Sequence, residues 1–196
     1  MRYRADITAG ALKVPESRVI ADLLLQGRDA AGWKDALYAY NILQTRSTRT
    51  AERLTLLLRG RLALMDADLW KLVRDGSGTV ATHACLAAAV KHSALLGDFL
   101  DLVVREQYTR YAKTLSNTLW DDYLVDCQGR DPEMPQWSEA TMARLRSSVF
   151  QILAQAGYIS STRTLTLQPV YIASPVLDYL TGHHDHDVLR CIQVAP

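Results

Sequence analysis

Glycine and proline together make up 16 of the 196 residues, so few points in the chain are obliged to break regular structure. Cysteine is limited to Cys85, Cys127 and Cys191, with no CxxC pair, which excludes a disulfide framework and a zinc ribbon. Neither sign of charge is in excess: 22 Lys and Arg face 21 Asp and Glu, a formal net charge of +1. That balance excludes a polycation that holds nucleic acid by bulk charge. Long apolar runs are missing as well. The nearest approach, residues 84–104, contains Lys91, His92, Asp98 and Asp101, and each aspartate opposes insertion by about 3 kcal/mol at a bilayer centre. The opening, Met1-Arg-Tyr-Arg-Ala-Asp6, lacks the apolar core of a secretory signal. These absences predict a cytoplasmic protein that does not engage a membrane. No internal repeat or low-complexity tract is visible.

What is present is leucine and alanine, 29 and 24 residues respectively, and both favour helix. With 48% hydrophobic and 22% charged residues, the chain has the composition of an ordinary globular protein. Pro15 in a first turn and the stripe Ile20, Leu23, Leu24 ending at Gly27 predict a first helix. Asp29 is placed to cap a second, carrying Trp33, Leu37, Tyr40 and Leu43. After a polar turn, Ser47 or Thr48 caps a third, with Leu54, Leu57, Leu58 and Leu62 inward. Helix, short turn, helix after a supporting helix is the helix-turn-helix plan.

The middle of the chain reads as a helical core. Residues 69–73 end at Asp75-Gly76-Ser77-Gly78, and residues 79–96 form an Ala-rich helix that is apolar on most sides. A further helix is expected over 108–127, with Tyr111, Leu115, Leu119 and Tyr123 on one face. Two prolines make 129–137 the clearest linker. Beyond it, a helix from Ser138 stops at Gly157. The alternation of 162–167, continuing to Ile172, predicts a β-hairpin, and Ser174-Pro175 starts a short helix. The expected fold is mainly all-α. It comprises a helix-turn-helix-like bundle (1–65), a central helical core (66–128), the linker (129–137) and a small winged-helix-like domain with a β-hairpin (138–196).

Mapped along the chain, the balanced charge separates. Residues 1–65 are net +5, 66–97 neutral, 98–139 net −5, 140–175 net +3 and 176–196 net −2. Seventeen of the 22 cations are arginine, whose planar fork suits phosphate and guanine. A base composition that favours Arg codons is the alternative explanation. The densest cluster is Arg46-Ser47-Thr48-Arg49-Thr50 with Arg53. It falls at the first turns of the third helix, where backbone amides and helix dipole add affinity for phosphate. A second set is Arg144, Arg146, Ser147 and Gln151 on the helix before the wing, with Arg163 on the wing. Both sets are candidates for double-stranded DNA; the plainer reading of the first is a solvated helix face, and of the second a small helical domain docked on the bundle with the hairpin closing its core. Asp121, Asp122 and Asp126 form an acidic face, a candidate for docking a basic partner.

Candidates for chemistry are sparse. His183-His184-Asp185-His186-Asp187, with Cys191 nearby, offers metal-ligand types, but it follows Thr181-Gly182 near the C-terminus, where a polar loop is expected, and any metal affinity is read as adventitious. Residues 75–79 lack the glycine spacing and lysine of a P-loop. His83 and His92 share one helix face with no nucleophile motif nearby. No catalytic residue, cofactor, metal or small-molecule substrate is expected, and the chain alone is expected to be a monomer.

Several stretches carry a resemblance: 5–12, Val14-Pro-Glu-Ser-Arg-Val-Ile20, Asn41-Ile-Leu-Gln-Thr-Arg46, 69–76, 91–106, 152–158 and 167–170. Together they resemble the BrxA family, a small core component of type 1 BREX (bacteriophage exclusion) systems. The resemblance implies a mostly helical protein in a phage-defence complex, with DNA binding as its activity and other BREX proteins as partners. It carries no catalytic residue over to this chain.

Overall fold

The computed structural model describes residues 2–8 and 10–194; Met1, Ala9, Ala195 and Pro196 lie outside the described residues, among them one position of the 5–12 motif and the outer ends of the two terminal segments. The helices are α1 (Val14–Leu25), α2 (Ala30–Lys34), α3 (Thr48–Leu62), α4 (Ala67–Asp75), α5 (Gly78–His92), α6 (Ala94–Asp98), α7 (Arg105–Thr109), α8 (Asn117–Arg130), α9 (Glu139–Ala156), α10 (Ser174–Gly182) and α11 (His186–Ile192). Two π-helical stretches, Asp35–Ala39 and Phe99–Val104, continue α2 and join α6 to α7.

The caps explain many of the boundaries. Asp29, Ser47, Asp66, Ser77, Ser93, Ser116 and Ser138 each accept a backbone N–H of the helix they precede, satisfying donors that would otherwise be orphaned. Gly157 closes α9 at φ 89°, in the left-handed region.

α5 lies at the centre. Ala81, Ala84, Leu86, Ala87, Ala88 and Ala89 are all buried, so the helix is apolar all round, as a helix enclosed by others must be. Its small side chains let α1, α3, α4, α9, α10 and α11 pack directly on it. One buried cluster runs from Tyr3 to Val194 through every segment of the chain. On its far side Phe99, Trp120, Tyr123 and Phe150 form an aromatic group, with Phe99 and Trp120 edge to face at 4.9 Å. Segment 131–137 is tied in at both ends of its turn: Met134 is buried and the Asp131 carboxylate accepts the backbone N–H of Tyr3 at 3.1 Å.

Three expectations are corrected. No β-strand occurs among the described residues. In place of a hairpin there are two isolated antiparallel bridges, Ile159 with Leu167 and Thr114 with Thr166. A turn at 161–164, held by Ser161 and Thr164, and Leu165 at φ 52° leave too few residues in register for a ladder. The helix expected over 108–127 is broken. α7 ends at Thr109, Tyr111 adopts φ 55°, and Ser116 caps a new start. Tyr40, expected inward, is 78% exposed, because the π turn before it shifts the register of the apolar stripe.

Candidate nucleic-acid interface

The first face is built at the start of α3. Ser47 is the cap: its Oγ accepts the Thr50 N–H at 3.3 Å. The preceding loop is held by Asn41, in the left-handed region at φ 41°, whose amide donates to the Thr45 carbonyl and accepts the Thr45 N–H, both at 3.1 Å. Asparagine is among the few residues that tolerate this backbone while bonding it locally. Arg46, Arg49 and Arg53 are exposed, as spacings of three and four opposite Leu54, Leu57 and Leu58 require. None of the three has an ion-pair partner among the described residues. A shallow groove of about 240 Å³ lies beside them, lined by Tyr38, Asn41, Thr45, Arg46, Ser47 and Thr48. The loop linking the second helix to α3 is longer than the three or four residues of a helix-turn-helix turn.

The second face is a polar groove of about 540 Å³ between the start of α8, α9 and the 161–164 turn. Asn117, Arg146, Ser147, Gln151 and Thr162 line it, with Phe150 at its floor. The structure therefore brings Arg146, Ser147 and Gln151 together and sets Arg163 on the turn beside them. Arg144, two positions from Arg146 on the helix, points away from this groove. Arg146 is not free: its guanidinium donates to both oxygens of Asp121 at 3.1 and 3.2 Å. Two residues assigned to opposite roles thus form one ion pair. Asp122 and Asp126 stay exposed on α8. Between them and the neighbouring helices, Val125 is 67% and Leu102 47% exposed, beside grooves of about 520 and 390 Å³.

Several of the other titratable candidates are occupied, whereas the buried Nδ1 of His92 has no partner among the described residues. His83 is buried, and its Nδ1 accepts the Ala173 N–H at 3.0 Å; burial holds its pKa below the ordinary value. All three cysteines are buried and free, and burial pushes Cys85 and Cys191 up to about 11. Of the His183–Asp187 cluster, His183 meets Asp66 at 2.7 Å and Asp185 pairs with Lys91 at 2.7 Å. His183, Asp66 and Asp68 place one ligand atom each within 4.8 Å, a grouping that residues 183–187 alone did not reveal. Asp66 and Asp68 also serve α4, the first as its cap and the second in its first turn. No helix among the described residues is long and apolar enough to cross a membrane.

What the fold and these faces define is a mainly helical protein with an alanine-rich central helix and two separate arginine-bearing surfaces. The BrxA family model matches residues 1–184. A curated relative, the BREX protein BrxA of Paramagnetospirillum magneticum, is 48% identical over 99% of this chain and 98% of its own length. The BREX protein BrxA of Escherichia coli is 32% identical over 96% of this chain and 88% of its own. A crystal structure described as an uncharacterized protein from Magnetospirillum magneticum superposes with a TM-score of 0.93 at 47% identity, covering 100% of both chains. The chain belongs to the BrxA family of BREX phage-defence systems.

Proposed function

We propose that this chain is a cytoplasmic, non-enzymatic accessory protein of its BREX system that binds duplex DNA through the α3 and α9 faces. The observation that carries the reading is the set Arg46, Arg49 and Arg53, all exposed and without intramolecular partners among the described residues, on the capped first turns of α3. Arginines left unpaired beside free helix amides suit phosphate. The second face is supported by the order of its elements. A bridge residue (Thr114), α8, α9 and two further bridge segments (Ile159, Thr166–Leu167) follow one another as in a winged helix whose sheet has shrunk to single pairs. In that arrangement α9 faces the groove and the 161–164 turn the backbone.

A gel shift across salt concentrations tests this, with duplex DNA, single-stranded DNA and RNA compared. Each neutralised phosphate steepens the log–log salt dependence by about 0.9. An Arg46→Ala/Arg49→Ala/Arg53→Ala chain is expected to lose up to about 2.7 from that slope. A binding curve overlaying the parent at low salt would remove α3 from the interface.

A second reading, an adaptor docking a basic BREX partner on α8, is favoured by the exposure of Val125 and Leu102 between Asp122, Asp126 and Glu106. Exposed apolar side chains beside carboxylates such as Asp122 and Asp126, unpaired among the described residues, suit the docking of a basic partner. Co-purification with other BREX components would then survive the arginine changes and fail when Asp122 and Asp126 are neutralised.

A further inference from the structure

The break between α7 and α8 creates a feature that neither arginine face uses. Gln107, Tyr108, Tyr111 and Ala112 close α7 as a Schellman motif: the Tyr111 N–H donates to the Tyr108 carbonyl and the Ala112 N–H to the Gln107 carbonyl, both at 3.0 Å. The residue after such a cap sits in the left-handed region, and glycine is the usual occupant because it has no Cβ to clash. Gly157 does that work for α9. Here the position holds tyrosine at φ 55°, and its side chain is 89% exposed. The ring therefore brings a conformational penalty and returns almost no burial. A bulky residue held this way points to a requirement other than folding.

The ring has company. Tyr111 and Tyr171, the latter 81% exposed, line a groove of about 350 Å³ with Tyr108, Leu167 and Pro169. The two exposed rings make no stacking contact with each other among the described residues, so the groove between them is open. Its floor is fixed, because the Tyr108 hydroxyl donates its one hydrogen to the Gln168 carbonyl at 2.5 Å, with the Tyr158 carbonyl at 3.2 Å beside it. Lys113, exposed and without an ion-pair partner among the described residues, follows directly, and the Arg110 guanidinium, 69% exposed, is paired with Glu106 at 2.7 Å. Ala112 at this groove and Asn117 at the polar groove of α9 are five residues apart, at most roughly 18 Å of extended chain. Open aromatic faces beside cations are the chemistry that stacks nucleobases while holding their phosphates.

We propose that the Tyr111–Tyr171 groove takes an unpaired nucleobase of a single strand, stacked on one or both rings. This goes beyond the duplex reading, because a base inside a duplex cannot enter the groove, and it stands if that reading falls. The test is binding of the full chain to a labelled oligo-dT strand, a duplex with a single-stranded tail and a blunt duplex. Tyr111→Ala and Tyr171→Ala are each expected to weaken binding to oligo-dT about tenfold and to leave blunt-duplex binding unchanged. Tyr111→Phe and Tyr171→Phe keep the ring and bind oligo-dT within about twofold of the parent. Tyr111→Gly relieves the backbone, so it melts no earlier than the parent while losing oligo-dT. Three results overturn the proposal: a parent that does not bind oligo-dT, alanine variants that bind it undiminished, or a Tyr111→Gly chain that melts earlier. A proline-rich peptide held through the tyrosines, with oligo-dT binding unaffected, would also overturn it and assign the groove to a polyproline helix. Loss of blunt-duplex binding by the parent, with oligo-dT retained, refutes only the duplex reading.

Discussion

Arg61 joins the N-terminal segment to α3 from inside the core. It is 2% exposed, its guanidinium donates to the carbonyls of Ala11 at 2.8 Å and Gly10 at 3.3 Å, and its Nε has no partner among the described residues. Burial lowers its pKa to about 10, against the opposing pull of Cys85 and Asp6. Asp6 is held above the ordinary carboxylate value by burial, opposed by the Ser93 hydroxyl that donates to it at 2.6 Å. A buried cation is justified only where acceptors surround it, and here they are carbonyls of a segment without helical bonds of its own. Arg61→Ala leaves both carbonyls unpaired and opens a cavity, so it is expected to destabilise by about 3 kcal/mol. Arg61→Met removes the desolvated charge while keeping the packed stem, and is expected to lose measurably less. Urea unfolding of the three chains checks the order; a methionine variant as unstable as the alanine one would show that the hydrogen bonds outweigh the packing.

At the scale of elements, what was legible in the sequence divides by the range of the cause. Asp29, Ser138 and Gly157 mark boundaries correctly because a cap or a left-handed closure acts within one turn. The arginine spacing of α3 is legible for the same reason. The hairpin differs because alternation over 162–167 does not fix how far pairing runs: the hydrogen bond from the Leu115 N–H to the Leu165 carbonyl belongs to the Thr114–Thr166 bridge, and no adjacent pair among the described residues extends it into a ladder. The break at Tyr111 was invisible because tyrosine occupies a position where sequence rules look for glycine. The Arg146–Asp121 pair was equally hidden, since it depends on how α8 and α9 dock. Another contact of that long-range kind joins α4 to α10. His183 donates from Nδ1 to the Tyr179 carbonyl at 2.8 Å and from Nε2 to Asp66 at 2.7 Å. With an acceptor at each nitrogen, the imidazolium satisfies both. The Tyr179 carbonyl first, and Asp66 after it, raise the His183 pKa above 6.5. A raised folded-state value gives stability that is complete below about pH 6.5 and is lost as pH climbs through the folded value. Burial holds His83 and His92 below their ordinary value, so their contribution runs in the opposite sense. The melting-temperature difference between parent and His183→Asn isolates the contact. It is expected to be positive near about pH 6 and to shrink as pH rises through the folded value; a difference that is flat with pH would show the pair carries no charge.

Across the whole molecule, a net charge of +1 resolves into surfaces that touch. The acidic stretch is not a separate pole: through Asp121 it reaches onto the α9 groove and occupies Arg146, the one groove-lining cation of that face. Because the pair is partly exposed, 35% and 56% for the two side chains, water screens it and it contributes little to folding. Its consequence for binding is larger, since a phosphate must displace the carboxylate before it meets the guanidinium. Asp121→Asn is therefore expected to leave the melting temperature within a degree or two and to tighten duplex binding at low salt. It should also steepen the log–log salt slope by up to about 0.9, one further phosphate contact. Adding Arg146→Ala to Asp121→Asn should abolish the gain, whereas Asp122→Asn and Asp126→Asn, which pair with no arginine of the groove, should not reproduce the steeper slope. Salt-titrated anisotropy on the parent and these four variants measures each term. A slope unchanged in Asp121→Asn, together with loss of co-purifying BREX components, would assign α8 to protein docking and leave DNA contact to α3 alone.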